Sequence, residues 1–150
     1  SKAVYKQHIM HALMDFGYTN EIFSPLYKAL FDEEKGSCNV NVQYPDVNDV
    51  LSFIKLAGGI AILAHPRVFD NFALFEEMAK NGQIHGAEAF SPKNTKEDTK
   101  LILEICRKYD LIPTGGSDFH GLYNSAQAPL GSYTTSQESL DLLFKLKEKV

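Results

Sequence analysis

Only two cysteines, Cys38 and Cys106, occur in the 150 residues, far apart and outside any Cys-x-x-Cys pair. That excludes a disulfide framework and a zinc ribbon and fits a reducing, cytoplasmic setting. A basic excess is missing as well, since 15 Lys and Arg stand against 19 Asp and Glu for a formal net charge of −4. Without a basic stripe to track a phosphate backbone, any role with nucleic acid has to come from a local site. No apolar run approaches the roughly 20 residues of a membrane span, and the opening Ser1-Lys2-Ala3-Val4-Tyr5 lacks the apolar stretch of a signal peptide. An initiator methionine is absent, with Ser1 in its place, which points to a piece cut from a longer chain. Internal repeats and low-complexity tracts are absent too. What is present is 44% hydrophobic residues in a chain of single-domain size, enough for a packed core.

From Asp46 to Thr114, helical and strand periods alternate, the signature of β/α units around a parallel sheet. Val47, Val50, Leu51 and Ile54 recur at helical spacing behind an Asp46 cap, and Gly58-Gly59 ends that helix. Ile60 to Ala64 reads as a short buried strand. A second helix carries Leu74, Phe75, Met78 and Ala79, capped by Asp70 or Asn71 and stopped at Gly82, and a strand from about Ile84 to Phe90 follows. A third helix, about Lys96 to Tyr109, puts Leu101, Ile102, Ile105, Cys106 and Tyr109 on one face, which makes Cys106 a core thiol, and Leu111 to Thr114 is the next strand. The last helix, about Ser136 to Glu148, opens on Thr135-x-x-Glu138 as a capping box, with Leu140, Leu143 and Phe144 on one side. Residues 1–45 read differently: a helix over Tyr5 to Phe16, another from Ser24-Pro25 to Phe31, then a polar turn. That segment is a helical insertion or cap, and 46–150 supply the β/α units.

The chemistry concentrates at two strand ends. Thr114-Gly115-Gly116-Ser117-Asp118-Phe119-His120-Gly121 directly follows a predicted strand, where parallel β/α architectures build their sites. If the backbone stays extended, Asp118 and His120 point the same way and can share a divalent cation. His65, in Ile62-Leu63-Ala64-His65-Pro66, occupies the equivalent level after another strand. The alternative reading has Asp118 capping a turn and both histidines hydrogen-bonded in the core. Gly115 and Gly116 allow tight or positive-φ geometry at the turn into the loop.

Gly58-Gly59-x-Ala61-x-Leu63-Ala64-His65-Pro66, then Gly86-x-Glu88, then the Gly-Ser-Asp-Phe-His-Gly element at 116–121, resemble in order and spacing the later motifs of the polymerase and histidinol phosphatase (PHP) phosphoesterases. His8-Ile9-Met10-x-Ala12-Leu13 with Gly17-Tyr18 is similar to the helical segment those proteins place between their early and late motifs. The resemblance implies the C-terminal portion of a distorted, TIM-like β/α barrel with a multinuclear Mn, Zn or Fe centre. It implies hydrolysis of a phosphoester in a phosphorylated metabolite, a nucleotide or a short oligonucleotide. Carried over by position, His65, Asp118 and His120 are metal ligands, and Asp118 also orients the attacking water. Arg67 suits a phosphate, which a guanidinium grips bidentately, and His8 is substrate-proximal. The family's first His-x-His motif and its second motif have no counterpart before His8. The expectation is therefore a fragment without turnover of its own, whose open sheet edge invites pairing with a second copy. Competing readings are a non-catalytic regulatory or structural module and an amidohydrolase-like metal hydrolase.

Other residues carry plainer expectations. His11 and His85 read as surface or turn positions, Lys93 as rim-lining or solvated, and Phe69, Phe72, Phe75 and Phe90 as core. Glu88 reads either as a group behind the site or as an exposed edge residue.

Overall fold

The computed structural model describes residues 3–40, 42–121 and 128–148. The chain divides into two compact units, one running to Tyr44 and taking in His120 and Gly121, the other comprising Pro45–Phe119 and the residues from Ala128 onward.

The first unit is helical. Helix α1 spans Lys6–Asp15 and α2 spans Pro25–Phe31. Met10, Ile22 and Phe31 form its small core, with Leu13, Met14, Tyr27 and Leu30 packed around them. Pro25 opens α2 where its missing N–H costs nothing, and the Ser24 hydroxyl accepts the Tyr27 N–H at 3.3 Å. Beyond α2 the Asp32 carboxylate accepts the N–H groups of Glu34 and Lys35, which makes the polar turn. His11, expected on the surface, is half-buried instead.

The second unit is a parallel sheet with helices packed on it. In chain order it contains α3 (Val47–Leu56), β1 (Ile62–Leu63), a 3-10 turn (Pro66–Phe69), α4 (Phe72–Lys80), β2 (Gly86–Phe90), α5 (Lys96–Lys108), β3 (Ile112–Gly115) and α6 (Gln137–Lys147). Its strands lie in the order β1-β2-β3, with Ile62 beside Gly86 and Glu88 beside Thr114. Parallel neighbours need crossovers, and α4 and α5 supply them. Phe75, Met78 and Ala79 of α4, Ile102, Ile105 and Cys106 of α5, and Ala87 and Ala89 of β2 share one core with Ile84 and Leu111. Burial lifts the Cys106 thiol pKa to about 11, as befits a core sulfur.

Several boundaries differ from the sequence reading for identifiable reasons. The first strand keeps only two ladder residues. Before it, the Ala61 N–H is taken by His85 Nδ1 at 3.0 Å, and after it the backbone turns at His65 with φ 29°. His85 is thereby half-buried and pins two strands rather than lying on the surface. Ser136, not Thr135, caps α6 by accepting the Ser139 N–H at 3.1 Å. Thr135 turns its hydroxyl to Gly115, bonding both the N–H and the C=O of that residue at 3.0 Å.

Of the four core aromatics expected, Phe75 is fully buried and Phe72 packs partly on the core, whereas Phe69 is 83% and Phe90 37% exposed. Alternation explains Phe90. Ala87 and Ala89 face the helices, so Glu88 and Phe90 point to the opposite face of the sheet. Apolar residues are also exposed on α3 (Phe53, Leu56) and α6 (Phe144).

Candidate functional site

Three parallel strands deliver the loops after β1, β2 and β3 to one end of the sheet, the end at which such architectures gather functional groups. His65 lies in the first of these loops, two residues past β1. Its φ of 29° and ψ of 66° are unusual for a side-chain-bearing residue, a geometry that clusters at functional sites and persists only when its surroundings enforce it. Enforcement comes from Glu88, whose Oε2 accepts the His65 backbone N–H at 2.7 Å. The His65 ring places a buried Nδ1 where it has no hydrogen-bond partner among the described residues. A buried imidazole nitrogen left so is costly unless something further binds it.

The loop after β2 is shaped by Asn94. Its side-chain NH2 donates to the carbonyls of Glu88 (3.3 Å) and Ala89 (2.9 Å), while the hydroxyl of buried Ser91 accepts the Lys93 N–H. Lys93, which the sequence left between rim and solvent, forms an ion pair with Asp118.

Asp118 itself sits in the third loop with φ 48°. The backbone is therefore not extended there, and strand alternation does not align Asp118 with His120. Neither Gly115 nor Gly116 has a positive φ, and Gly115 is required for space. An added Cβ at Gly115 would come within 2.7 Å of the Thr134 carbonyl oxygen and 2.8 Å of Phe90 Cβ, and one at Gly116 within 3.0 Å of Glu88 Oε1.

Arg67 is already engaged. Its guanidinium meets Asp70 at 2.5 Å and Asp98 at 3.5 Å. The N–H and hydroxyl of Thr95, followed by the Arg67 charge, hold the Asp98 carboxyl below its ordinary range. In the first unit, His8 is exposed and its Nδ1 accepts the Tyr5 N–H at 3.0 Å, closing the start of α1. His120 is exposed and belongs to that unit. Among the described residues no three His, Cys, Asp or Glu side chains converge tightly enough to enclose a metal. None of the described helices is long and apolar enough to cross a membrane. A cleft of about 670 Å³ opens at the other end of the strands, beside Asn48, Lys55, Gln83 and His85, away from these loops.

By sequence alone Glu88 fits either a group behind the site or an exposed edge. The signal available was a carboxylate in mid-strand between two alanines, where burial is expensive unless a donor meets it. The donor proves to be a backbone amide, which no side-chain pattern announces.

A parallel α/β unit thus carries a buried imidazole nitrogen and a carboxylate in its strand-end loops. No family model matches the chain. It is 36% identical over 123 residues to phosphoribosyl 1,2-cyclic phosphate 1,2-diphosphodiesterase of Eggerthella lenta, covering 82% of the chain and 46% of that protein. It is 28% identical over 121 residues to the 3',5'-nucleoside bisphosphate phosphatase of Chromobacterium violaceum, covering 78% and 42%. Its fold matches a crystal structure described as a metal-dependent phosphoesterase of Bifidobacterium adolescentis, with a TM-score of 0.74, 25% identity, and coverage of 94% of this chain and 50% of that one. An amidohydrolase structure from Chromobacterium violaceum, with sulfate bound and no metal, shares the fold at a TM-score of 0.66 and 22% identity, over 95% and 51%. These relatives support the resemblance to the PHP-type phosphoesterases. It spans about half the length of the relatives it matches.

Proposed function

We propose that the chain supplies part of the active site of a metal-dependent phosphoesterase acting on a phosphorylated small molecule or nucleotide. The observation that carries the reading is the buried, unpartnered Nδ1 of His65, held on a strained backbone at a strand end. An imidazole nitrogen and the Asp118 carboxylate are donors of the kind divalent Mn, Zn or Fe accepts, so the residues present fit the group. His120 joins them on the strength of the Asp-x-His motif. Divalent ions in such a place lower the pKa of a water and offset phosphate charge.

The chain's own residues do the rest. Asp118 orients the attacking water, and Lys93, whose ammonium now neutralises Asp118, stands ready to meet a phosphate oxygen. Arg67 serves the substrate by exchanging Asp70, an exposed carboxylate, for a phosphate. His8 is assigned near the substrate by the motif order.

We read the three strands as consecutive members of a distorted, TIM-like barrel, with residues 1–45 as a helical insertion. Among the described residues β1 is paired on one side only, beside an apolar cleft lined by Val47, Leu51, Ile60 and Met78. Further strands of the same domain, or a second copy of the chain, would cover that edge.

The test is hydrolysis of a phosphoester panel by the full-length protein in Mn2+, with Asp118→Asn and His65→Ala as variants. Loss of at least about 100-fold in kcat/KM for both variants is expected. Rates unchanged in either variant, or hydrolysis confined to amides, would overturn the reading.

A further inference from the structure

We infer that Glu88 is a positioning residue that clamps the loop carrying His65 against the loop carrying Asp118; the inference rests on the phosphoesterase reading for its functional meaning. Glu88 stands on the central strand, on the sheet face opposite the helices, between the ends of its two neighbours. One carboxylate oxygen, Oε2, accepts the His65 N–H at 2.7 Å, short enough for a charge-assisted bond. The other, Oε1, lies where a methyl on Gly116 would approach to 3.0 Å, so it fills the space beside the glycine two residues before Asp118. A single side chain thus fixes His65 in its left-handed conformation and sets the spacing of the loop after β3. The backbone of Glu88 is held in turn, because its carbonyl accepts from Asn94. Metal sites depend on such groups behind the ligands, whose loss typically lowers metal affinity by about 10- to 100-fold.

Two readouts test this on the whole chain. The first is amide hydrogen exchange at His65 in Glu88→Ala and Glu88→Gln. A glutamine keeps a carbonyl oxygen for the His65 N–H, so exchange should speed up by about tenfold or more in the alanine variant and stay within about threefold of the parent in the glutamine variant. The second is calorimetric titration with Mn2+ alone, in which Glu88→Ala should bind about tenfold more weakly than Glu88→Gln at matched thermal midpoints.

Unchanged exchange in Glu88→Ala would overturn the clamp. Faster exchange with undiminished Mn2+ affinity would overturn its role in positioning a ligand. Should the unsubstituted chain bind Mn2+ no better than His65→Ala, the metal reading falls and the positioning role with it. The exchange measurement would then still decide whether the clamp exists.

Discussion

Replacing Gly115 with alanine should destabilise the β/α unit although the substitution adds a single methyl. Gly115 has no positive φ, so the dihedral angles admit alanine, and at an open position the change would stabilise by about 0.4–1 kcal/mol through the unfolded chain. Space decides the sign here. The new Cβ would meet the Thr134 carbonyl oxygen at 2.7 Å, Phe90 Cβ at 2.8 Å and the Phe90 carbonyl oxygen at 2.9 Å. All three belong to backbone or its first side-chain carbon, so no rotamer change relieves the clash. Relief requires β3 to move away from β2, where the Gly116 N–H donates to the Phe90 carbonyl at 3.0 Å, or away from Thr135, which bonds Gly115 twice. Overpacking of this kind costs about 1–3 kcal/mol. With a urea m-value of about 2 kcal/mol/M, the midpoint should fall by about 0.5–1.5 M at unchanged m. An unchanged or higher midpoint would refute the argument, because it would mean that β2, β3 and the 134–135 segment are not held at the separations given.

The thiols should separate by reactivity. With its pKa near 11, Cys106 carries about 200-fold less thiolate at pH 8 than a thiol of pKa about 8.5, even before access is counted, so a thiol reagent should consume exposed Cys38 first and Cys106 only on unfolding. Phe75→Ala removes the largest fully buried side chain among the described residues and should cost about 3–5 kcal/mol in chemical denaturation. The Lys108 ammonium and the Tyr109 hydroxyl hold the exposed Glu76 carboxyl below its ordinary value, so their contribution is present above the unfolded pKa and lost as pH falls through the lowered one. Lys108→Met should therefore flatten the loss of thermal midpoint below about pH 4.5, by a small amount given the exposure of the pair. Lys93→Met frees Asp118 of its ammonium partner and should raise Mn2+ affinity in calorimetry; an unchanged affinity would separate Asp118 from the metal.

The parallel β/α order could be read from the sequence because burial against helices leaves a periodic trace. Ile102, Ile105 and Cys106 of the expected stripe face the core, whereas Leu101, at its margin, is 40% exposed, and Asn71 and Asp46 cap the helices they precede. Phe69 and Phe90 are exposed because hydrophobicity alone does not place a side chain in the core, and strand alternation sends Phe90 to the face without helices. Thr135-x-x-Glu138 matched a capping box, yet its hydroxyl had a better use in tying down Gly115, and the neighbouring Ser136 was free to cap.

The candidate site divides in the same way. Residue types and motif order singled out His65 and Asp118, but both stand at positive φ without a glycine to announce it, so an alternation argument that needs an extended chain could not give their directions. What holds His65 there is a carboxylate 23 residues away bonding a main-chain N–H. A bond to the backbone constrains the identity of only one of its two residues, so the pair has no signature in a single sequence. The one trace it leaves is a carboxylate in a strand whose neighbours are buried alanines, where charge would be costly without a donor.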